Sequence, residues 1–78
     1  MEHTKVVPFS GVRLRRWREA RGFSQGELAE LLRDAGGRDV SKMTISNIER
    51  GRALPRVGEV ELFAEVLRVE VEDLGQQP

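Results

Sequence analysis

The chain of 78 residues has no cysteine, no tyrosine and a single histidine, His3, close to its start. Without cysteine there is no disulfide and no thiol nucleophile, and one histidine cannot build a Cys/His zinc site, so stability has to come from packing. No apolar run approaches the roughly 20 residues that span a bilayer. The opening Met1-Glu2-His3-Thr4-Lys5 lacks the apolar stretch of a secretory signal, so the expectation is a cytoplasmic protein with no membrane partner. There is no Gly-rich loop of the phosphate-cradling kind and no histidine outside the tail for base chemistry, and nothing points to an enzyme. A chain this short holds one small domain, which leaves no room for a separate sensing unit. Neither a cofactor nor a small-molecule ligand is expected.

The formal net charge is zero, but the charge is laid out unevenly. Residues 1–56 carry twelve Lys/Arg against seven Asp/Glu, a balance of +5, and residues 57–78 carry one against six, a balance of −5. Screening confines charge interactions to about 10 Å at ordinary salt, so a basic part attracts phosphate locally even in a neutral molecule. Charge alone fits equally well two solvated helix faces.

Periodicity organises the rest into helices. Residues 1–10 show none and contain Pro8, and read as a flexible N-terminal arm. From Val12 to Arg21 the positions Leu14, Trp17 and the stem of Arg21 fall at helical spacing, with Gly22 as the stop. Ser24 followed by Glu27 is a capping box that opens a second helix, with Phe23 placed to staple onto Leu28. That helix turns Leu28, Leu31, Leu32 and Ala35 inward and breaks at Gly36-Gly37. Ser41 caps a short third helix through Arg50, ended by Gly51, with Ile45 and Ile48 buried, Val40 anchoring its start, and Lys42, Met43, Ser46 and Asn47 turned outward. Val57, Val60, Phe63, Ala64 and Leu67 share one face of a fourth helix, and Glu70 to Leu74 suits one last turn. The domain proper is expected over 11–74, with 75–78 a frayed tail. The fold class is all-α, a compact bundle of about five short helices.

Two helices joined by a glycine-bearing turn, the second with an outward polar row, suit a recognition helix that enters the major groove. The wording sharpens this. Ser24-Gln25-x-Glu27-Leu28-Ala29, then Val40-Ser41-x-x-x-Ile45-Ser46-x-Ile48-Glu49-Arg50-Gly51, then Pro55, resembles the Cro and phage-repressor (XRE-like, lambda-repressor-like) helix-turn-helix family. The resemblance runs from about Gly11 to Leu74. It implies a sequence-specific, double-stranded DNA-binding transcriptional regulator, of repressor type, in which the second helix positions and the third reads.

By that resemblance Gln25 lies beside the sugar-phosphate backbone. Lys42 donates to guanine or to phosphate, and Asn47 pairs with adenine; for both, plain solvated surface is the alternative. Met43 either packs on a thymine methyl or fills the core. Thr44 and Ser46 have short hydroxyls suited to phosphates, and Arg52 and Arg56 add charge-assisted contacts after the third helix. Arg18 and Glu49 stand where the family pairs an arginine of the first helix with the glutamate closing the recognition helix.

The sequence departs from the family in two places. Arg33-Asp34-Ala35-Gly36-Gly37-Arg38-Asp39 makes the link between the second and third helices about six residues longer, with Arg38 either on a phosphate or solvated. Arg68 stands where the family commonly ends its fourth helix with glycine. A second functional reading is a protein-interaction module on the same fold, an antitoxin-like partner or an adapter that binds polymerase or another regulator. It would show exposed apolar residues on the third helix, where only Met43 is apolar. Leu62 and Val66, one turn apart and roughly opposite the buried face of the fourth helix, suggest a weak homodimer on a palindromic operator.

Overall fold

Each helix begins where a side chain can take backbone N–H groups that a first turn leaves open. The structure, a computed structural model, describes residues 9–36 and 40–75. Helix α1 (Gly11–Ala20) is capped by Ser10, whose Oγ accepts from the Arg13 amide at 3.2 Å. Helix α2 (Gln25–Asp34) has the anticipated box: Glu27 N donates to Ser24 Oγ at 3.0 Å, and Ser24 N donates to Glu27 Oε1 at 2.8 Å. Helix α3 (Lys42–Glu49) is capped by Ser41, and α4 (Val57–Leu67) by the Glu59 carboxylate reaching back to Arg56 N at 2.9 Å. A 3₁₀ turn (Val71–Leu74) follows, tied by Asp73 Oδ2 to Glu70 N. The described residues hold four α-helices and this turn, with no strand.

The helix ends explain a sequence oddity. Gly22, Gly36 and Gly51 close the first three helices with φ of 80°, 94° and 79°. The fourth is closed by Arg68 at φ 60°, ψ 46°, a left-handed conformation that sets Cβ against the next carbonyl. Arg21 compensates from another element: its Nε donates to Leu67 O at 2.7 Å and its Nη2 to Arg68 O at 3.3 Å, while its guanidinium lies over the Trp17 ring. Arg21, expected on the inner face of the first helix, is thus an exposed clamp on the end of α4. Arg68→Gly is expected to raise stability by about 0.5–1 kcal/mol, because it relieves the left-handed strain and leaves Arg21's carbonyl acceptors in place. Urea unfolding checks this; a loss of stability would show that the Arg68 side chain holds something the backbone does not.

Leu14, Leu28, Leu32, Ile45, Phe63, Leu67 and Leu74 form the innermost core. Helix α3 packs on α1 and α2, and α4 on α2, α1 and the 3₁₀ turn. Since α4 is covered on several sides, Leu62 and Val66 are half-buried and pack against the core rather than standing bare on a far face. Ala29 is buried in α2, and Ala35, expected inward, is exposed because the helix has ended there.

The domain is also wider than the sequence suggested. Phe9 and Ser10, assigned to the arm, are folded: Phe9 bridges Gly75 and stacks on Phe63, and Ser10 N donates to Leu74 O at 2.8 Å. Gly75, assigned to the tail, is buried. These pairings join residues more than fifty positions apart, which no local pattern reports. The rest of the arm, Arg38 and the tail beyond Gly75 lie outside the described residues. Among the described residues, no helix is long and apolar enough to cross a membrane.

Candidate nucleic-acid interface

Helix α3 is set by its inner face. Ile45 and Ile48 are in the core, and Glu49 is buried beside them. One side of the helix is thereby fixed and the opposite side turned out: Lys42 and Met43 are exposed, Ser46 and Asn47 half-exposed. Met43 is 67% exposed, which removes it from the core. Thr44 is half-exposed and its Oγ1 lies 3.1 Å from Ser41 Oγ, so its hydroxyl belongs to the helix cap.

The angle of α3 is held by the pair expected from the family positions. Arg18 Nε donates to Glu49 Oε2 at 2.6 Å and Nη2 to Oε1 at 3.1 Å, a two-pronged contact with side chains 10% and 3% exposed. Arg18 Nη1 also donates to Phe23 O at 2.8 Å, which ties in the turn before α2. The hydrogen bond to Glu49 raises the Arg18 pKa and outweighs the opposing effect of burial, so the guanidinium stays charged. No buried side-chain nitrogen or oxygen among the described residues lacks a partner.

Gln25 joins the same network, with Nε2 donating to Glu49 Oε1 at 3.0 Å. The sequence carried no signal for that contact. It couples the start of α2 to the end of α3, and it leaves the second amide hydrogen of Gln25 available. The caps of α2 take the N–H groups of Ser24 and Glu27; those of Gln25 and Gly26 have no partner within the helix and carry its positive end. A polar cleft of about 190 Å³ opens here between Arg15, Arg18, Gln25, Glu49 and Arg50. Arg50, exposed, adds positive charge that was not expected from the sequence, whereas Arg15, also exposed, is paired with Glu19 at 3.1 Å. The position of Arg50 between Glu49 and Gly51 in the motif was its one available signal.

The segment after α3 is fixed at both ends. Arg52 N donates to Asn47 O at 2.8 Å and Gly51 N to Ile48 O at 3.1 Å, the pair of hydrogen bonds that closes a helix on a left-handed glycine. Arg52 and Arg56 are exposed. The structure thus gathers Gln25, Lys42, Met43, Ser46, Asn47, Arg52 and Arg56 around α3 and its two junctions, with Thr44 partly committed to the cap. A groove of about 730 Å³ between Arg21, Phe23, Leu31, Glu65, Val66 and Arg68 is built by α4, α2 and the α1–α2 turn and shares none of these residues. No group of acidic and histidine side chains among the described residues is arranged to hold a metal.

The sequence pattern of a helix-turn-helix domain family matches residues 11–76. Among solved structures, the chain is similar to the restriction-modification controller protein C.AhdI from Aeromonas hydrophila. The two are 31% identical, the alignment covers 82% of this chain and 84% of that one, and the TM-score is 0.69. No curated protein matches the chain.

Proposed function

The chain belongs to the helix-turn-helix domain family of Cro and phage-repressor type, and from that premise we propose that it is a repressor that reads a specific duplex sequence with α3 in the major groove. Family membership makes it a DNA-binding regulator of transcription and not an enzyme. The likeness to a restriction-modification controller supports a regulatory role of the same kind. The observation that carries the reading is the outward row Lys42, Met43, Ser46 and Asn47 on a helix locked by Arg18–Glu49. An element that reads bases needs its angle fixed more than it needs affinity, and a two-pronged buried guanidinium–carboxylate contact resists rotation.

In this reading Lys42 and Asn47 read base edges and Met43 meets a thymine methyl. Gln25, Ser46, Arg52 and Arg56 fix register on phosphates, and Thr44 does so with its hydroxyl hydrogen while its oxygen accepts from Ser41. One recognition helix reads a few base pairs, so we assign the protein a palindromic operator bound by two copies about 34 Å apart. Leu62 and Val66 are mostly taken up by the chain's own core, so only their exposed edges on α4 are left for a second copy, and with the exposed Glu61 and Glu65 beside them the dimer is weak. Its place of action is the cytoplasm. Of the outward residues of α3, Met43 alone is apolar, which does not favour an adapter that docks another protein through this helix.

Selection of bound sequences from random duplex DNA tests the whole reading. Two half-sites one helical turn apart are expected; failure to enrich any sequence would overturn it. On the selected duplex, Asn47→Ala is expected to weaken binding by about 1–3 kcal/mol and to relax preference at one base pair. Arg56→Ala is expected to weaken selected and scrambled duplexes about equally and to lower the salt slope by roughly one unit. Equal loss of sequence preference in both variants would mean the roles are misassigned.

A further inference from the structure

Between the recognition helix and α4, exposure alternates residue by residue. Arg52, Leu54 and Arg56 are exposed, while Ala53 packs against the core and Pro55 is half-buried. Leu54 is 80% exposed, more than Met43 or Val12, the other exposed large apolar side chains among the described residues. The segment is not slack. Its start is held by the Arg52 N to Asn47 O bond, its end by Arg56 N to Glu59 Oε1, and Pro55 fixes its own φ. A rigid segment thus presents cation, apolar group and cation in turn.

We propose that Leu54 is a DNA-contacting residue that packs on the deoxyribose face of the backbone between phosphates held by Arg52 and Arg56. This rests on the function proposed above. A DNA strand alternates charged phosphate with sugar, whose C–H edges are the apolar part of its backbone. The backbone bends at Arg52 and Ala53, so Arg52 and Arg56 stand closer together than an extended segment would set them, with Leu54 between them in the chain. With a cation on either side of Leu54, the complementary surface is a polyanion that carries an apolar patch between neighbouring charges. The contact excludes water from the two flanking ion pairs, which strengthens them. It holds the loop to one strand without reading a base.

The test uses the full chain and the selected duplex. Leu54→Ala is expected to bind about 3–10-fold more weakly, the scale of partial burial of a leucine side chain. Its salt slope should stay unchanged, since no charge is lost, whereas Arg52→Ala and Arg56→Ala each lower the slope by about one. Hydroxyl-radical cleavage reads deoxyribose exposure directly. Wild type should protect the sugar next to the phosphates whose ethylation interferes with binding; Leu54→Ala should lose that protection alone, and Leu54→Met should keep it. Thermal unfolding of both variants should match wild type. Wild-type binding with an unchanged footprint and affinity in Leu54→Ala would overturn the assignment of Leu54 alone. A change in sedimentation of free Leu54→Ala would overturn it in favour of a contact with a second copy. Failure of wild type to bind any duplex would overturn the functional reading, and this inference with it.

Discussion

Glu49→Ala is expected to cost about 3–5 kcal/mol of folding stability, the range for leaving one member of a buried ion pair without its partner. The Arg18 guanidinium would keep only Phe23 O and, 3.9 Å away, the largely exposed carboxylate of Glu19 for a full charge on a side chain 10% exposed. Gln25 would lose its acceptor as well. For a chain of this length the total stability is about 4–12 kcal/mol, so the loss is a large share of it. Arg18→Met should cost a similar amount, because the carboxylate, 3% exposed, is then left without its cation. The double variant Arg18→Met/Glu49→Ala should lose clearly less than the sum, since two apolar side chains leave no buried charge behind. Urea unfolding of the four proteins closes the cycle, and additive losses would mean that the two residues do not interact. The cost also reaches the interface, because the same carboxylate holds the start of α2 and the angle of α3.

Gly11→Ala is expected to destabilise by about 2 kcal/mol or more, against the usual sense of a Gly-to-Ala change in a helix. A Cβ at Gly11 would stand 2.3 Å from Ile48 O and 2.7 Å from Glu49 O. Both are backbone atoms at the end of α3, and no side-chain rotation relieves them. Either α1 backs away or α3 tilts, and both movements disturb the Arg18–Glu49 contact. Gly58 is the comparison: it lies in α4 with nothing within 4 Å of its would-be Cβ, and Gly58→Ala should stabilise by about 0.5–1 kcal/mol. Opposite signs for the two substitutions in thermal unfolding are the expected result. Equal small gains would mean that the two helices approach less closely than described.

What the sequence made legible was local. Ser24 with Glu27 and Ser41 with Thr44 are contacts between residues three apart, and the stops at Gly22, Gly36 and Gly51 follow from one residue's backbone freedom. The buried faces of α3 and α4 follow from their spacing. Arg18–Glu49 spans thirty-one positions and was legible because the family motif pairs those places. What stayed hidden was nonlocal and carried no motif. Arg21 on the carbonyls of Leu67 and Arg68, Gln25 on Glu49, and Trp17 Nε1 on Asp73 O all depend on which helix ends meet. The misplacement of Leu62 and Val66 has the same origin: a helical wheel gives the direction of a side chain but not how much of the circumference its neighbours cover.

The pairing of Phe9 with Gly75 has a mechanical consequence. The described chain runs a full circuit and buckles its own ends together, with Ser10 N on Leu74 O as the second tooth of the clasp. Tension applied through any extension of the chain would load this clasp first, and the segments that carry α2, α3 and α4 would stay slack until it opened. Two residues inside the clasp, Gly11 rests on the closing carbonyls of α3. The buckle therefore shields α3 from pulling while it holds, and its release is the event by which a load on the ends would reach that helix.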